Sequence, residues 1–215
     1  SGRQQFFPRR ELVTVEYSIE QTYRGLYQDL RACLGEGGQS LEEAKRSGAL
    51  TFARYGLWHY VNPAKRQQKP YLEIQRAGAN LRGLIRIMLF KRLESSVYAF
   101  RETVRRLTTV HQAFLTALER GIVAAGEEAQ TLLYESDSWD ESDLLEALEA
   151  VSQSYRAEDF DLERLKADIT HDLGVLGHIA ELVSPITSES DAKLQTLKQK
   201  LAEAPLTAGK RLIFT

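Results

Sequence analysis

The sequence predicts a mainly α fold, an elongated helical bundle around one long central helix with coiled-coil-like packing and short extended segments at both ends. Three observations carry that expectation. Leu93, Val97, Phe100, Val104, Leu107, His111, Phe114 and Leu118 recur at alternating steps of four and three, which is a heptad seam. Neither Gly nor Pro interrupts the chain between Gly83 and Gly121, so an unbroken helix over this stretch would run about 60 Å. A second near-heptad seam, Leu162, Leu165, Ile169, Leu173, Leu176, Ile179 and Val183, supplies its antiparallel partner. Upstream, Leu81, Leu84, Ile85, Ile87, Met88, Leu89 and Phe90 widen the apolar band, which predicts deeper burial at that end.

The remaining elements follow in order. Phe7-Pro8-Arg9-Arg10 reads as an extended lead-in, and Leu12, Val13, Val15 and Tyr17 as a short β-prone run. Ser18 with Gln21 makes a capping box for a helix whose face is Ile19, Tyr23, Leu26, Leu30 and Leu34, and which stops at Gly35. Ser40 with Glu43 caps a second helix running toward Tyr60, ended by Asn62-Pro63. Residues 64–72 form a polar, basic loop closed by Lys69-Pro70. The central helix then begins between Tyr71 and Leu81. After Gly121 the chain turns acidic around Trp139. A helix is expected near Ser142 on Leu144, Leu145, Leu148 and Val151, followed by the second seam helix, capped by Asp159 or Asp161 and ended before Pro185. A last helix from about Glu189 to Ala202 uses Leu194, Leu197 and Leu201, and is broken by Pro205 and Gly209. Arg211-Leu212-Ile213-Phe214-Thr215 reads as a buried strand cut off within the element. Counted this way, the chain holds about five to seven helices.

Composition bounds the class. An apolar content of 43% with 27% charged residues is ordinary for a soluble globular protein of 215 residues. No run of 18 apolar residues and no signal-peptide pattern is present, so neither a membrane span nor secretion is expected. Cys33 is the sole cysteine, which rules out an internal disulfide and fits a cytoplasmic protein. The opening Ser-Gly, with Met88 the sole methionine, reads as a tag remnant on a piece of a longer chain. The net charge of −2 hides a split: residues 1–120 hold 20 Lys/Arg against 11 Asp/Glu, and residues 121–215 hold 8 against 19. Such asymmetry points either to a polyanion partner for the first half or to pairing between the halves.

No constellation for catalysis is found. A phosphate-cradling loop needs closely spaced glycines opening a helix, with a Lys-Ser/Thr. Gly35-Glu36-Gly37-Gly38 instead follows a helix and reads as a C-cap and joint. Asp168, His171, Asp172 and His178 share a helical face, but such a set reads as a solvated side rather than a metal site. His111 sits in the seam as a core histidine with no nucleophile beside it in sequence, and Cys33 reads as a small buried hydrophobe. The one functional signal is basic: Lys65, Arg66, Lys69, Arg76, Arg82, Arg86, Lys91 and Arg92 fall in a window whose sole acid is Glu73, flanked at the loop by Tyr60 and Tyr71. Phosphates are neutralised by such cations with counterion release. On the residues alone two readings stand side by side: contact with nucleic acid, or a solvated face paired with the acidic half.

Two ends and one internal stretch carry a resemblance. Asp191-Ala192-Lys193-Leu194-Gln195-Thr196-Leu197, then Gly209-Lys210-Arg211-Leu212-Ile213-Phe214-Thr215, resembles the entrance to the second RecA-like lobe of Swi/Snf-type superfamily II ATPases. Phe7-Pro8-Arg9-Arg10-Glu11 through Tyr17-Ser18-Ile19-Glu20-Gln21 and Leu26-Tyr27 resembles the segment leaving the first lobe. Lys91-Arg92-Leu93-Glu94-Ser95-Ser96 with Ala99-Phe100 is similar to a signature of bacterial helicase-like members. Together these cover roughly a third of the chain. The family's phosphate loop, Asp-Glu-x-His box and arginine finger are absent, so no catalytic residue carries over.

The resemblance implies a lead-in from a first motor lobe (1–17), a helical inter-lobe domain (18–203) and the start of a second lobe (204–215). By the same resemblance the parent protein would be an ATP-dependent helicase or translocase using ATP and Mg, acting on nucleic acid, duplex DNA first. It also tips the basic window toward nucleic-acid contact. The alternative expectation is a protein-interaction or dimerisation scaffold that self-associates through the seams. A free-standing enzyme ranks last.

Overall fold

Two amphipathic helices, α5 (Val97–Glu119) and α8 (Leu162–Val183), pack antiparallel and form the centre of a mainly α structure. The computed structural model describes residues 12–136, 140–204 and 207, without the side chains of Arg76, Ala77, Ala79, Asn80 and Glu141. The expected lead-in Phe7–Arg10, Trp139, the helix breakers Pro205 and Gly209, and the closing run Arg211–Thr215 lie outside the described residues. In α5, Val97, Phe100, Val104, Phe114 and Leu118 are buried at the seam spacing. In α8 the buried set is Leu165, Asp168, Ile169, Asp172, Val175, Leu176, Ile179 and Val183. The partnership of the two seams is therefore as the spacing predicts. Arg101 ties their paired ends together: it donates to the carbonyls of Val183, Ser184 and Ile186, placing a cation where the α8 dipole is negative.

The single long helix does not form. It breaks at Ser96, whose backbone is extended (φ −158°, ψ 128°) and whose Oγ accepts from the Ala99 N–H at 3.3 Å. Serine in a helix interior competes for backbone N–H groups, and as an N-cap it satisfies one of the four donors a helix start leaves unpaired. The upstream half is a separate helix, α4 (Tyr71–Ser95), and it folds back along α5. Arg92, Ile85 and Leu81 share one cleft with Ala99, Leu107 and Val110, so the two helices make a hairpin rather than a rod. The wide apolar band is also shallower than expected. Leu89 and Leu93 are buried, but Leu84, Ile87 and Met88 are about half exposed.

Two further expected helices are shorter than their patterns. The face over 19–34 splits into α1 (Ile19–Tyr23) and α2 (Leu26–Leu34), because Arg24 and Gly25 both take positive φ. Ser18 caps α1 through its side chain, and Gly35 ends α2 at φ 73°. The Ser40–Glu43 capping box forms in both directions, but its helix, α3, covers only Leu41–Arg46. Residues 49–62 are instead a buried strap with short 3-10 turns at Ala53–Tyr55 and Leu57–Tyr60.

Beyond Gly121 lie α6 (Glu127–Tyr134), which the sequence pattern does not announce, α7 (Glu141–Ser152), capped α8, and α9 (Ala192–Leu201). Of the two candidate caps it is Asp161 that accepts from Arg164 N–H. Among the described residues there are nine α-helices, more than expected because two predicted helices are broken and α6 is added. No strand occurs among them; the run Leu12–Tyr17 is unpaired and largely exposed, and Val61 and Phe160 form an isolated antiparallel bridge.

The core has two parts spanned by α5 and α8. One gathers Tyr60, Phe114, Leu133, Leu148 and Leu165, and the other Leu30, Leu34, Leu93, Phe100 and Ile179. No helix among the described residues is long and apolar enough to cross a membrane.

Candidate functional site

The basic window does not form one surface. Arg86 is buried, its Nε donating to the Leu34 carbonyl at 3.2 Å and its guanidinium lying over the Phe52 ring. Arg82 is half-buried and donates to the Thr51 carbonyl at 3.2 Å. Burial holds both below the usual arginine range. Arg66 folds onto Trp58 and donates to the carbonyls of Val61 and His59. Lys65 lies 3.8 Å from Asp159, which is the pairing between halves that the charge split allows. Lys69 is exposed beside Glu73 at 3.7 Å, and Lys91 and Arg92 are exposed on α4. The Arg76 side chain lies outside the described set. Tyr60 and Tyr71 pack rather than offer stacking faces: both are buried and donate to carboxylates, Tyr60 to Asp168 at 2.8 Å and Tyr71 to Asp159 at 2.5 Å. Burial and that hydrogen bond push the Tyr71 hydroxyl up to about 12.

The acid-histidine set on α8 faces inward in part, contrary to its reading as a solvated side. Asp172 is fully buried and accepts from the Thr51 N–H at 2.6 Å, the Thr51 hydroxyl at 3.0 Å and the Ala53 N–H at 3.1 Å. Asp168 accepts from Tyr60 and from Lys45. His171 Nε2 meets the Ala49 carbonyl at 2.9 Å, while His178 is exposed. These groups hold the 49–62 strap, whose short 3-10 turns satisfy only part of its backbone. Among the described residues no group of three or more His, Cys, Asp or Glu is placed to hold a metal ion. His111 is buried, its Nδ1 paired with the Leu107 carbonyl at 2.7 Å, and burial with Arg54 nearby depresses it to about 4. The Cys33 thiol is buried, and that burial raises its pKa.

A cleft of about 690 Å³ lies between α4, α5 and α6. Leu81, Ile85, Met88, Leu107 and Val110 give it apolar walls. Its floor carries Arg54, only 3% exposed, in the strap. Arg54 Nη2 donates to Gln130 Oε1 at 2.6 Å, its Nε has no acceptor, and among the described residues no carboxylate pairs with it. Burial lowers its affinity for its proton. Arg92 stands at the rim. Arg106 lies 3.8 Å over the Tyr134 ring, its Nε also without an acceptor. Glu102 and Glu127 share the rim, Glu102 with Arg105 at 3.3 Å. The basic-window reading reaches just one of these cleft cations, Arg92. The signal for Arg54 was present: it is the one Lys or Arg between Ala49 and Val61.

Comparison of the chain with protein-family models, with curated proteins and with solved structures finds no match.

Proposed function

We propose that this chain is a non-catalytic helical module joining the two motor lobes of a Swi/Snf-type ATP-dependent helicase or translocase, with ATP and Mg held by the lobes. The observation that carries this reading is where the chain enters and leaves the helical body. The first and last helices, α1 and α9, pack together. Thr22 Oγ1 accepts from the Ala192 N–H at 3.1 Å, and Lys193 Nζ stands 5.1 Å over the Tyr17 ring. Tyr17 and Lys193 both also bond the α4–α5 corner, at the carbonyls of Glu94 and Ser95. Such adjacency suits a module set between two lobes, because flanking domains then stay close whatever the size of the insert. The fold-back at Ser96 changes the form of the link from a strut to a folded body.

Nucleic-acid contact, in this reading, falls to the exposed cations Lys69, Lys91 and Arg92. Duplex DNA titrated by fluorescence anisotropy at low salt should bind weakly, with log K falling linearly against log salt. The triple change Lys69→Glu, Lys91→Glu, Arg92→Glu should flatten that slope by about 2 to 3. No binding at low salt, or an unchanged slope, overturns the nucleic-acid part. ATP turnover by the chain alone overturns the non-catalytic part. Arg82 and Arg86 are unsuited to this test, since reversing either charge strips a carbonyl of its donor inside the fold.

A further inference from the structure

From the cleft between α4, α5 and α6 we infer a function beyond linkage: it binds a small amphipathic carboxylate, an alkyl chain ended by one acid group, whose carboxylate pairs with Arg54. A guanidinium removed from water is costly unless a carboxylate or several acceptors replace the lost hydration. The deeply buried carboxylates here have such replacement. Asp172 accepts from Thr51 and Ala53, and Asp168 from Tyr60 and Lys45. Arg86, like Arg54, has one neutral acceptor and a buried nitrogen without one, but it does not line the cleft. Arg54 has one neutral hydrogen-bond acceptor, Gln130, the Tyr55 ring 4.9 Å from its guanidinium and an Nε with no acceptor, and it faces a cavity that a ligand can fill. A carboxylate meets a guanidinium through two parallel hydrogen bonds, which supplies what Arg54 lacks.

Three features fix the class of ligand. At about 690 Å³, with apolar walls and polar groups at its floor and rim, the cleft has the size and mixed lining of a site for an amphipathic small molecule. Arg54, Arg92 and Arg106 against Glu102 and Glu127 leave the cleft a net charge of about +1, which suits a monoanion better than a nucleotide or polyphosphate. Arg54 is 3% exposed, so a slender head group reaches it, whereas a docked helix about 10 Å across would stop at the rim.

Dodecanoate below its micelle concentration is the probe, measured by calorimetry and by its effect on thermal unfolding. It should bind one to one and raise Tm by linkage. Dodecan-1-ol and dodecyltrimethylammonium should bind about tenfold or more weakly, since they lack the charge-assisted bonds. Arg54→Met should reduce dodecanoate affinity by a similar factor and leave dodecan-1-ol unchanged. Met88→Glu, at an exposed wall position, should weaken both probes without touching the core. If Arg54→Met does not fold, Arg54→Lys, which keeps the charge but loses the planar fork, should weaken dodecanoate selectively. Equal binding of the acid and the alcohol overturns the inference, as does dodecanoate binding that survives Arg54→Met and Met88→Glu. An acidic amphipathic peptide that occupies the cleft when dodecanoate does not also overturns it, in favour of a protein partner.

Discussion

Asp172 and His111 titrate in opposite senses across the same pH interval. Burial pushes Asp172 up to about 6, against the pull of its donors from Thr51 and Ala53. Folded Asp172 therefore holds a proton that the unfolded chain releases, and its contribution to stability is present below about pH 4 and lost as pH rises through 6. His111 is held down to about 4, first by burial and then by Arg54. Its contribution is present above the unfolded value near 6.5 and lost as pH falls toward 4. Each is on the order of 3 kcal/mol, so the two largely cancel between pH 4 and 6. His111→Asn should thus become less stable as pH rises from 4 to 6, and Asp172→Asn less stable as pH falls from 6.5 to 4. Urea unfolding at five or six pH values reads both slopes; two variants with the wild-type profile would refute the assignment. Asp168, Asp172, Tyr60 and Arg54 are visible in the sequence as residue types. Their burial and mutual contacts are not, because each pairs with a residue many tens of positions away.

At the scale of elements, α4 shows how a helix can be placed by a neighbour's backbone. Gly78 lies where an added Cβ would stand 2.8 Å from the Tyr55 carbonyl oxygen, so the glycine lets α4 rest directly on the strap. Five residues on, Gly83 faces open space. Gly83→Ala should stabilise the protein by up to about 1 kcal/mol through helix propensity. Gly78→Ala should instead destabilise it by about 1–3 kcal/mol, since the helix must move or the strap must give. Chemical denaturation of the pair decides it, and a Gly78→Ala protein as stable as Gly83→Ala would remove the contact from the account. The break at Ser96 belongs to the same scale. The heptad pattern continues across it, so periodicity reads one helix. Only the hairpin, which buries Leu89 and Leu93 beside Phe100, makes the break favourable.

For the whole molecule the decisive feature is that α1, α9 and the α4–α5 corner meet at one place. A body whose chain enters and leaves side by side tolerates insertion into a host. Placed in a surface loop of an unrelated protein, this chain should unfold at its own Tm within a few degrees, with the host's transition also unchanged. Collapse of either transition would show that the two ends need to be held apart. The electrostatic split between the halves is partly resolved inside the fold, through Lys45–Asp168 and Lys65–Asp159. The cations left over on the surface are fewer than the sequence window implies.

Linear pattern suffices for the helical class, the amphipathic seams carried by α5 and α8, the capping box at Ser40 and the stop at Gly35. All of these rest on local periodicity or on contacts three or four residues apart, which a linear pattern records directly. Tertiary structure alone decided the break at Ser96, the irregular strap over 49–62, the inward turn of Arg82, Arg86, Asp168 and Asp172, and the cleft around Arg54. Those depend on which distant group supplies each missing hydrogen bond once the chain is packed. Amphipathic spacing says that a face will be covered, but it does not carry the identity of what covers it.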